Sequence, residues 1–257
     1  MYDMNADQFD LVYNVLSFSL ASMAASTMFF WLRVSSIHEK YKSALVISGL
    51  VTFIAAYHYV RIFNSWTESY EFPKEGGNPV LTGKPFNDAY RYMDWLLTVP
   101  LLLLEIVFCM SLTPEETSFE AWSLGVASAL MIAVGYPGEL VVEGNLSIRA
   151  ICFAFSMAVF LYIVHKLMVG LQGAIQKEKN PEVAAMLNQV CLATVVSWCT
   201  YPVVYLLPFM GISGAKAVVG IQLGYCASDV ISKCGVGFLI YNITVKKSEA
   251  IKSSLLQ

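Results

Sequence analysis

The chain has 257 residues, 57% of them hydrophobic, 13% aromatic and 14% charged, with a net charge of −3 and a mean hydropathy of +0.59. A soluble domain carries about 25% charged residues, so this inventory cannot cover a water-facing surface of normal size. It equally excludes disorder, collagen, coiled coil and a disulfide-stapled module, and no basic run is dense enough for nucleic acid. The solvent that fits is a lipid bilayer.

Seven apolar stretches follow one another at 10–33, 43–64, 90–110, 120–138, 149–172, 186–209 and 217–243. Each is near the ~20 residues that a bilayer core needs. The fold class expected is an all-α membrane protein, a seven-transmembrane helix bundle formed by residues 1–257 as one domain, with an outer segment 1–9 and a cytoplasmic tail 244–257. The first ten residues are acidic where a cleavable signal would be basic, so the first span reads as retained. Arg33, Lys40, Lys42, Lys177, Lys179, Lys246, Lys247 and Lys252 all fall on one side of such a bundle. The positive-inside rule makes that side cytoplasmic, with the N-terminus outside and the C-terminus inside. The acidic connection 113–120 shares that side, a weak objection because acidic residues contribute little to the rule.

The longest connection, about 65–89, contains Pro73-Lys-Glu-Gly-Gly-Asn-Pro79, which reads as a turn within a short hairpin. The six cysteines lie inside apolar stretches with no metal-ligand spacing, so no metal is expected. Gly220 and Gly224 form one GxxxG, a pointer to close helix packing.

The informative residues are ionisable groups at bilayer depth, each costing roughly 2.5–3.5 kcal/mol on insertion scales. His58 lies in the second stretch, Arg91, Asp94 and Glu105 in the third, and Asp229 and Lys233 in the seventh. Asp94 and Glu105 are eleven residues apart, close to three helical turns, so they share a face about 16 Å apart along the axis. Thr98 is on that face and Arg91 one turn outward. Asp229 and Lys233, at i and i+4, are close enough to pair. A buried pair rarely repays its desolvation, whereas a buried amine can condense with an aldehyde, with Asp94 and Asp229 as counterions. Trp95, Trp198, Tyr201 with Pro202, and Leu102 suit a long, flat, apolar ligand.

These residues resemble those of the microbial (type 1) rhodopsins, most closely the proteorhodopsin-like light-driven proton pumps. The resemblance covers all seven stretches. It rests on Arg91-Tyr-Met-Asp94-Trp95-Leu-Leu-Thr98-Val-Pro100-Leu-Leu-Leu-Leu-Glu105, Trp198-Cys-Thr-Tyr201-Pro202, Asp229-Val-Ile-Ser-Lys233 and Gly135-Tyr-Pro-Gly138-Glu139. It implies a non-enzymatic outward proton pump with all-trans retinal held covalently on Lys233 as a protonated Schiff base. Asp94 would be counterion and proton acceptor, Asp229 second counterion, Arg91 their modulator and Glu105 the inner proton donor. The Asp94/Thr98/Glu105 set corresponds to the pattern of outward pumps in that group. His58 resembles a second-helix histidine that pairs with the counterion, and Leu102 stands where leucine goes with green absorption. Trp95, Trp198, Tyr201 and Pro202 would line the retinal pocket. The outer glutamate pair of haloarchaeal pumps is replaced by Met210 and Ile221, while Glu139 and Glu143 read as solvated loop charges.

The partners implied are protons as cargo and the bilayer, with a homo-oligomer as a family expectation. The membrane is either a cell membrane or a eukaryotic endomembrane. A sensory photoreceptor with the same chromophore is the alternative, and a seven-helix receptor or transporter without retinal a third reading.

Overall fold

The computed structural model describes residues 2–110, 112–141 and 144–254. Helix α1 (Ala6–Arg33) starts from a capping box in which Asn5 and Gln8 satisfy each other's backbone N–H, and a 3₁₀ turn, Val34–Ser36, follows it. Helix α2 (Glu39–Ser69) is capped by His38. Next come α3 (Ala89–Cys109), α4 (Pro114–Glu139), which opens on a Thr113/Glu116 capping box, and α5 (Ser147–Lys177). Helix α6 (Pro181–Tyr205) is capped by Asn180 and followed by a 3₁₀ turn, Leu207–Met210. The last span begins as α7 (Gly214–Asp229), passes through a π-helical turn, Val230–Gly235, and continues as α8 (Val236–Ser254).

Seven helices are thus long and apolar enough to cross a bilayer, the seventh running Gly214–Ser254. They match the seven expected stretches. The helices start and stop a few residues beyond the apolar runs because polar caps, rather than hydropathy, fix helix ends. Two ends fall short: Cys109 ends the third helix one residue before its apolar run does, and Tyr205 ends the sixth four residues before, just after Pro202. The tail expected from 244 onward is helical through Ser254, and α1 begins at Ala6, inside the segment read as 1–9.

The connection between α2 and α3 folds as the short hairpin expected. Strands β1 (Tyr70–Glu71) and β2 (Val80–Leu81) pair antiparallel, with Tyr70 opposite Leu81 and Glu71 opposite Val80. Apolar side chains fill the bundle and also cover it: Phe155, Leu161 and Val169 of α5 are more than half exposed, as a surface facing lipid tails permits. One core cluster, around Leu102, Ile106, Leu167, Leu187 and Ile240, packs around Glu105. A second, around Leu16, Tyr59, Trp66 and Cys226, joins α1, α2 and the seventh span. Of the GxxxG pair, Gly224 lets Val204 approach within 2.9 Å of where its Cβ would stand, while Gly220 faces open space.

Candidate functional site

The π turn is what presents Lys233. Widening one helical turn re-aims the side chains on it, and such turns recur at functional positions. The Lys233 side chain is 1% exposed, and its Nζ lies 2.6 Å from Asp94 Oδ2 and 2.9 Å from Asp229 Oδ1. The i,i+4 pair read from the sequence is therefore joined by the acid of α3. Three buried charges carry a net negative charge, which Arg91 offsets from 3.7 Å on Asp229 Oδ2. Pairing and hydrogen bonding of this kind are what make buried charges tolerable.

The two carboxylates are not equivalent. Asp229 Oδ1 also accepts from Trp95 Nε1 at 3.1 Å and Tyr201 OH at 2.7 Å, and its Oδ2 accepts from Tyr59 OH at 2.8 Å. Asp94 is bound by Lys233 through Oδ2, while its Oδ1 is buried and has no partner among the described residues. Thr98 does not fill that gap, because its hydroxyl donates to the Asp94 backbone carbonyl at 2.9 Å. Asp229 is held as an anion by a full shell of donors. Asp94 keeps an oxygen with room for a proton.

A cavity adjoins Lys233, with about 800 Å³ of unfilled space, part of it open to the outside. Trp95, Leu102, Trp198, Tyr201 and Pro202, all expected at a ligand pocket, line it with Lys233 and Asp229. Tyr92, Ile132, Met157, Phe160 and Tyr225 line it as well. They escaped the sequence reading because a lone aromatic or methionine in a span has no signature that separates a pocket wall from core. Trp95 makes edge-on contacts with Tyr201 and Tyr225 at 4.9 and 5.0 Å, which stiffens the wall.

Glu105 is 1% exposed and accepts a hydrogen bond from Ser48 of α2. Thr52 donates to the Ser48 backbone carbonyl at 3.0 Å rather than to its hydroxyl, so Ser48 is the side chain that meets the carboxyl in an otherwise apolar layer. His58 is buried, but its Nδ1 has no partner among the described residues and no hydrogen bond joins it to Asp94. Its ring packs edge-on against Tyr57 at 5.2 Å.

Arg91 is fully buried. Its Nη1 donates to Tyr59 OH at 3.0 Å, its Nη2 to Gln222 Oε1 at 2.6 Å and its Nε to Asp88 Oδ1 at 3.1 Å. Met210 is 67% exposed and Ile221 packs beside Trp95 and Tyr225; the polar residue at this end is Gln222. The reading of Glu139 as a solvated loop charge is corrected. Its side chain is 13% exposed and pairs with buried Arg149 at 3.1 Å, with Tyr92 and Tyr225 hydroxyls each 3.4 Å away. Arg149 also donates to the carbonyls of Tyr205 and Gly138, so the pair ties α4, α5 and α6 together. Glu143 lies outside the described residues.

The fold and site define an integral, multi-pass membrane protein with a lysine held between two carboxylates at the end of an aromatic cavity. The description "bacteriorhodopsin-like protein" matches residues 11–247, and the chain belongs to that family, the microbial rhodopsins. It is 29% identical over 238 residues to the green-light absorbing proteorhodopsin of Gamma-proteobacterium EBAC31A08, covering 92% of this chain and 88% of that one. It is 30% identical over 230 residues to the bacteriorhodopsin of Halobacterium salinarum, covering 88% and 80%. Among solved structures, xanthorhodopsin, titled a light-driven ion pump with dual chromophore, superposes with a TM-score of 0.91 at 40% identity, over 97% of this chain and 98% of that one. A thermophilic rhodopsin gives 0.89 at 41% identity, over 97% and 98%.

Proposed function

We propose that this protein is a light-driven outward proton pump. The observation that carries the reading is the unequal pair of carboxylates on Lys233: Asp229 saturated with donors, Asp94 with a free oxygen. The residues present suit retinal, since an apolar aromatic cavity ends at a buried amine with its counterions in place. Bound covalently to Lys233 Nζ, retinal supplies a light-triggered change of shape that redirects the N–H.

The chain's own residues do the rest. In the dark, Asp94 Oδ2 accepts the hydrogen bond of the Lys233 nitrogen and balances its charge. When the N–H is redirected, that proton passes to Asp94, and Asp229 stays ionised because Trp95, Tyr201, Tyr59 and Arg91 all stabilise its charge. Glu105, about 16 Å along α3 from Asp94, then gives its proton to the Lys233 nitrogen and recovers one from the lysine-rich side. Those loops are the cytoplasmic ones under the positive-inside rule, so net transport is outward. The apolar cluster around Glu105 keeps water from short-circuiting the two half-paths.

A sensory photoreceptor needs no inner proton donor, and the buried Glu105–Ser48 pair favours the pump. Illuminating cells that express the protein with added retinal tests this: the medium acidifies, and a protonophore abolishes the change. An unchanged pH under light overturns the reading.

A further inference from the structure

Asp88 occupies the N-cap of α3, where an aspartate ordinarily accepts from an N–H of the first turn, yet its side chain caps nothing. Both of its oxygens are turned to side chains instead. Oδ1 accepts from Arg91 Nε at 3.1 Å and Oδ2 from Gln222 Nε2 at 3.2 Å. Arg91 is fully buried and Gln222 is 2% exposed, whereas the Asp88 side chain is 31% exposed. The polar strip from the lysine therefore surfaces at this carboxylate. Arg91 stands between two acids, Asp229 on the inner side at 3.7 Å and Asp88 on the outer side. An i,i+3 ion pair that only pinned Arg91 would not need a buried amide from the seventh span bonded to both partners.

We propose that Asp88 is the outward proton-transfer group of this protein, the carboxylate that takes up the proton given off by Asp94 and delivers it to the outer water. The proposal rests on the pump reading and extends it to the exit. One Asp94 oxygen loses a proton, one Asp88 oxygen gains it and then yields it to water; no electrons change hands. Six helical residues put the two acids about 9 Å apart along α3, too far for direct transfer. The Tyr59 hydroxyl, which donates to Asp229, the Arg91 guanidinium and the Gln222 amide line the way to Asp88, and water carries the proton between the two acids. Arg91 keeps its own protons throughout. Its charge faces Asp229 on one side and Asp88 on the other, so ionised Asp88 is not left without a cation.

The test follows proton release and absorbance recovery after a flash, with a pH-indicator dye, in retinal-loaded wild type, Asp88→Asn and Asp88→Glu. Formation of the visible band establishes that each variant folds. In Asp88→Asn, release and final recovery slow by at least about 10²-fold, the lower range of what a lost acid–base group costs, while return of the proton from Glu105 keeps its wild-type rate. Asp88→Glu restores release. Added azide, a small proton carrier able to reach this half-exposed position, speeds the asparagine variant and leaves wild type unchanged. Infrared difference spectra show a late protonated-carboxyl band that is lost in Asp88→Asn and shifted in Asp88→Glu. Wild-type release timing in Asp88→Asn overturns the proposal, as does a slowing of every step alike without azide response. A wild type that pumps normally confines either failure to Asp88; a wild type that leaves the pH unchanged defeats the pump reading with it.

Discussion

Lys233 Nζ is bonded to Asp94 and Asp229 at nearly equal distances, 2.6 and 2.9 Å, yet the two acids differ in every other contact. Asp229 accepts from Tyr59, Trp95 and Tyr201 as well as facing Arg91. Removing charge at Asp94 and at Asp229 therefore has different consequences. Asp94→Asn should still bind retinal, absorb further to the red because the cation has lost a counter-charge, and transport no protons. Asp229→Asn leaves three buried donors facing a weaker acceptor, each unmade bond costing about 1–3 kcal/mol, so its main effect is poor pigment yield. Absorption spectra and light-driven pH traces of the two purified variants check this. Lys233→Ala, with no amine to hold the ligand, forms no visible band.

Glu105 and Ser48 meet inside an apolar layer. Glu105→Gln keeps the pigment's colour, because the change lies about three turns of α3 from Asp94. It slows the return of a proton to the Lys233 nitrogen by about 10²-fold or more, the usual worth of a positioned acid–base group. Ser48→Ala removes only a hydrogen bond to that group and slows the same step less. Flash-induced absorbance changes in the two variants measure both rates.

Much of this was legible in the sequence, for a physical reason. A bilayer penalises charge so heavily that each ionisable residue kept in a span marks itself, and Arg91, Asp94, Glu105, Asp229 and Lys233 were found that way. Helical spacing then predicted the Asp229–Lys233 pair, which the structure joins at 2.9 Å. What the sequence concealed depends on direction rather than identity. Tyr59 turns to Asp229, and Glu139 turns inward to Arg149 rather than outward to solvent. Gln222 and Ser48 are ordinary polar residues until a neighbouring helix brings them to Arg91 and Glu105. The π turn at Lys233 has no compositional marker.

Leu102 lies on the cavity wall, almost fully buried. Leu102→Gln places an amide dipole beside the ligand without touching Asp94 or Glu105. The expected outcome is a blue-shifted band with pumping retained, read from absorption spectra and pH traces of the same preparation. An unshifted band would show that the amide points away from the ligand.

Tyr70, outside the spans, donates to the Tyr2 carbonyl at 3.1 Å, and burial, with Asp3 nearby, pushes its phenol up to about 12. An unfolded tyrosine ionises near pH 10. Between about pH 10 and 12 the folded protein thus holds a proton that the unfolded chain has released, and stability falls as pH rises through that window. Tyr70→Phe loses a hydrogen bond worth about 1 kcal/mol and melts lower than wild type at pH 9. Its deficit should shrink steadily as the pH is raised, as thermal melts across that range would show.

Gly138 marks a close approach of α4 to α5 and α6. A Cβ there would stand 2.0 Å from the Tyr205 hydroxyl, 2.7 Å from Cys152 Cβ and 3.1 Å from the Arg149 backbone. The tyrosine cannot yield cheaply, because its hydroxyl is bonded to the Gly135 carbonyl at 3.1 Å and its own carbonyl accepts two hydrogen bonds from Arg149. The backbone of α5 is less able to yield than a side-chain tip. Gly138→Ala should therefore cost about 1–3 kcal/mol, the usual penalty of overpacking, and the pigment should lose its colour at a lower temperature. Gly220→Ala is the control: nothing lies within 4 Å of its Cβ, and alanine is favoured over glycine in a helix by up to about 1 kcal/mol. Bleaching temperatures of the two variants should fall on opposite sides of wild type, or the control should coincide with it. Equal bleaching temperatures for Gly138→Ala and wild type would mean that the Arg149 corner gives way without cost, and that its six hydrogen bonds do not hold α4, α5 and α6 in register.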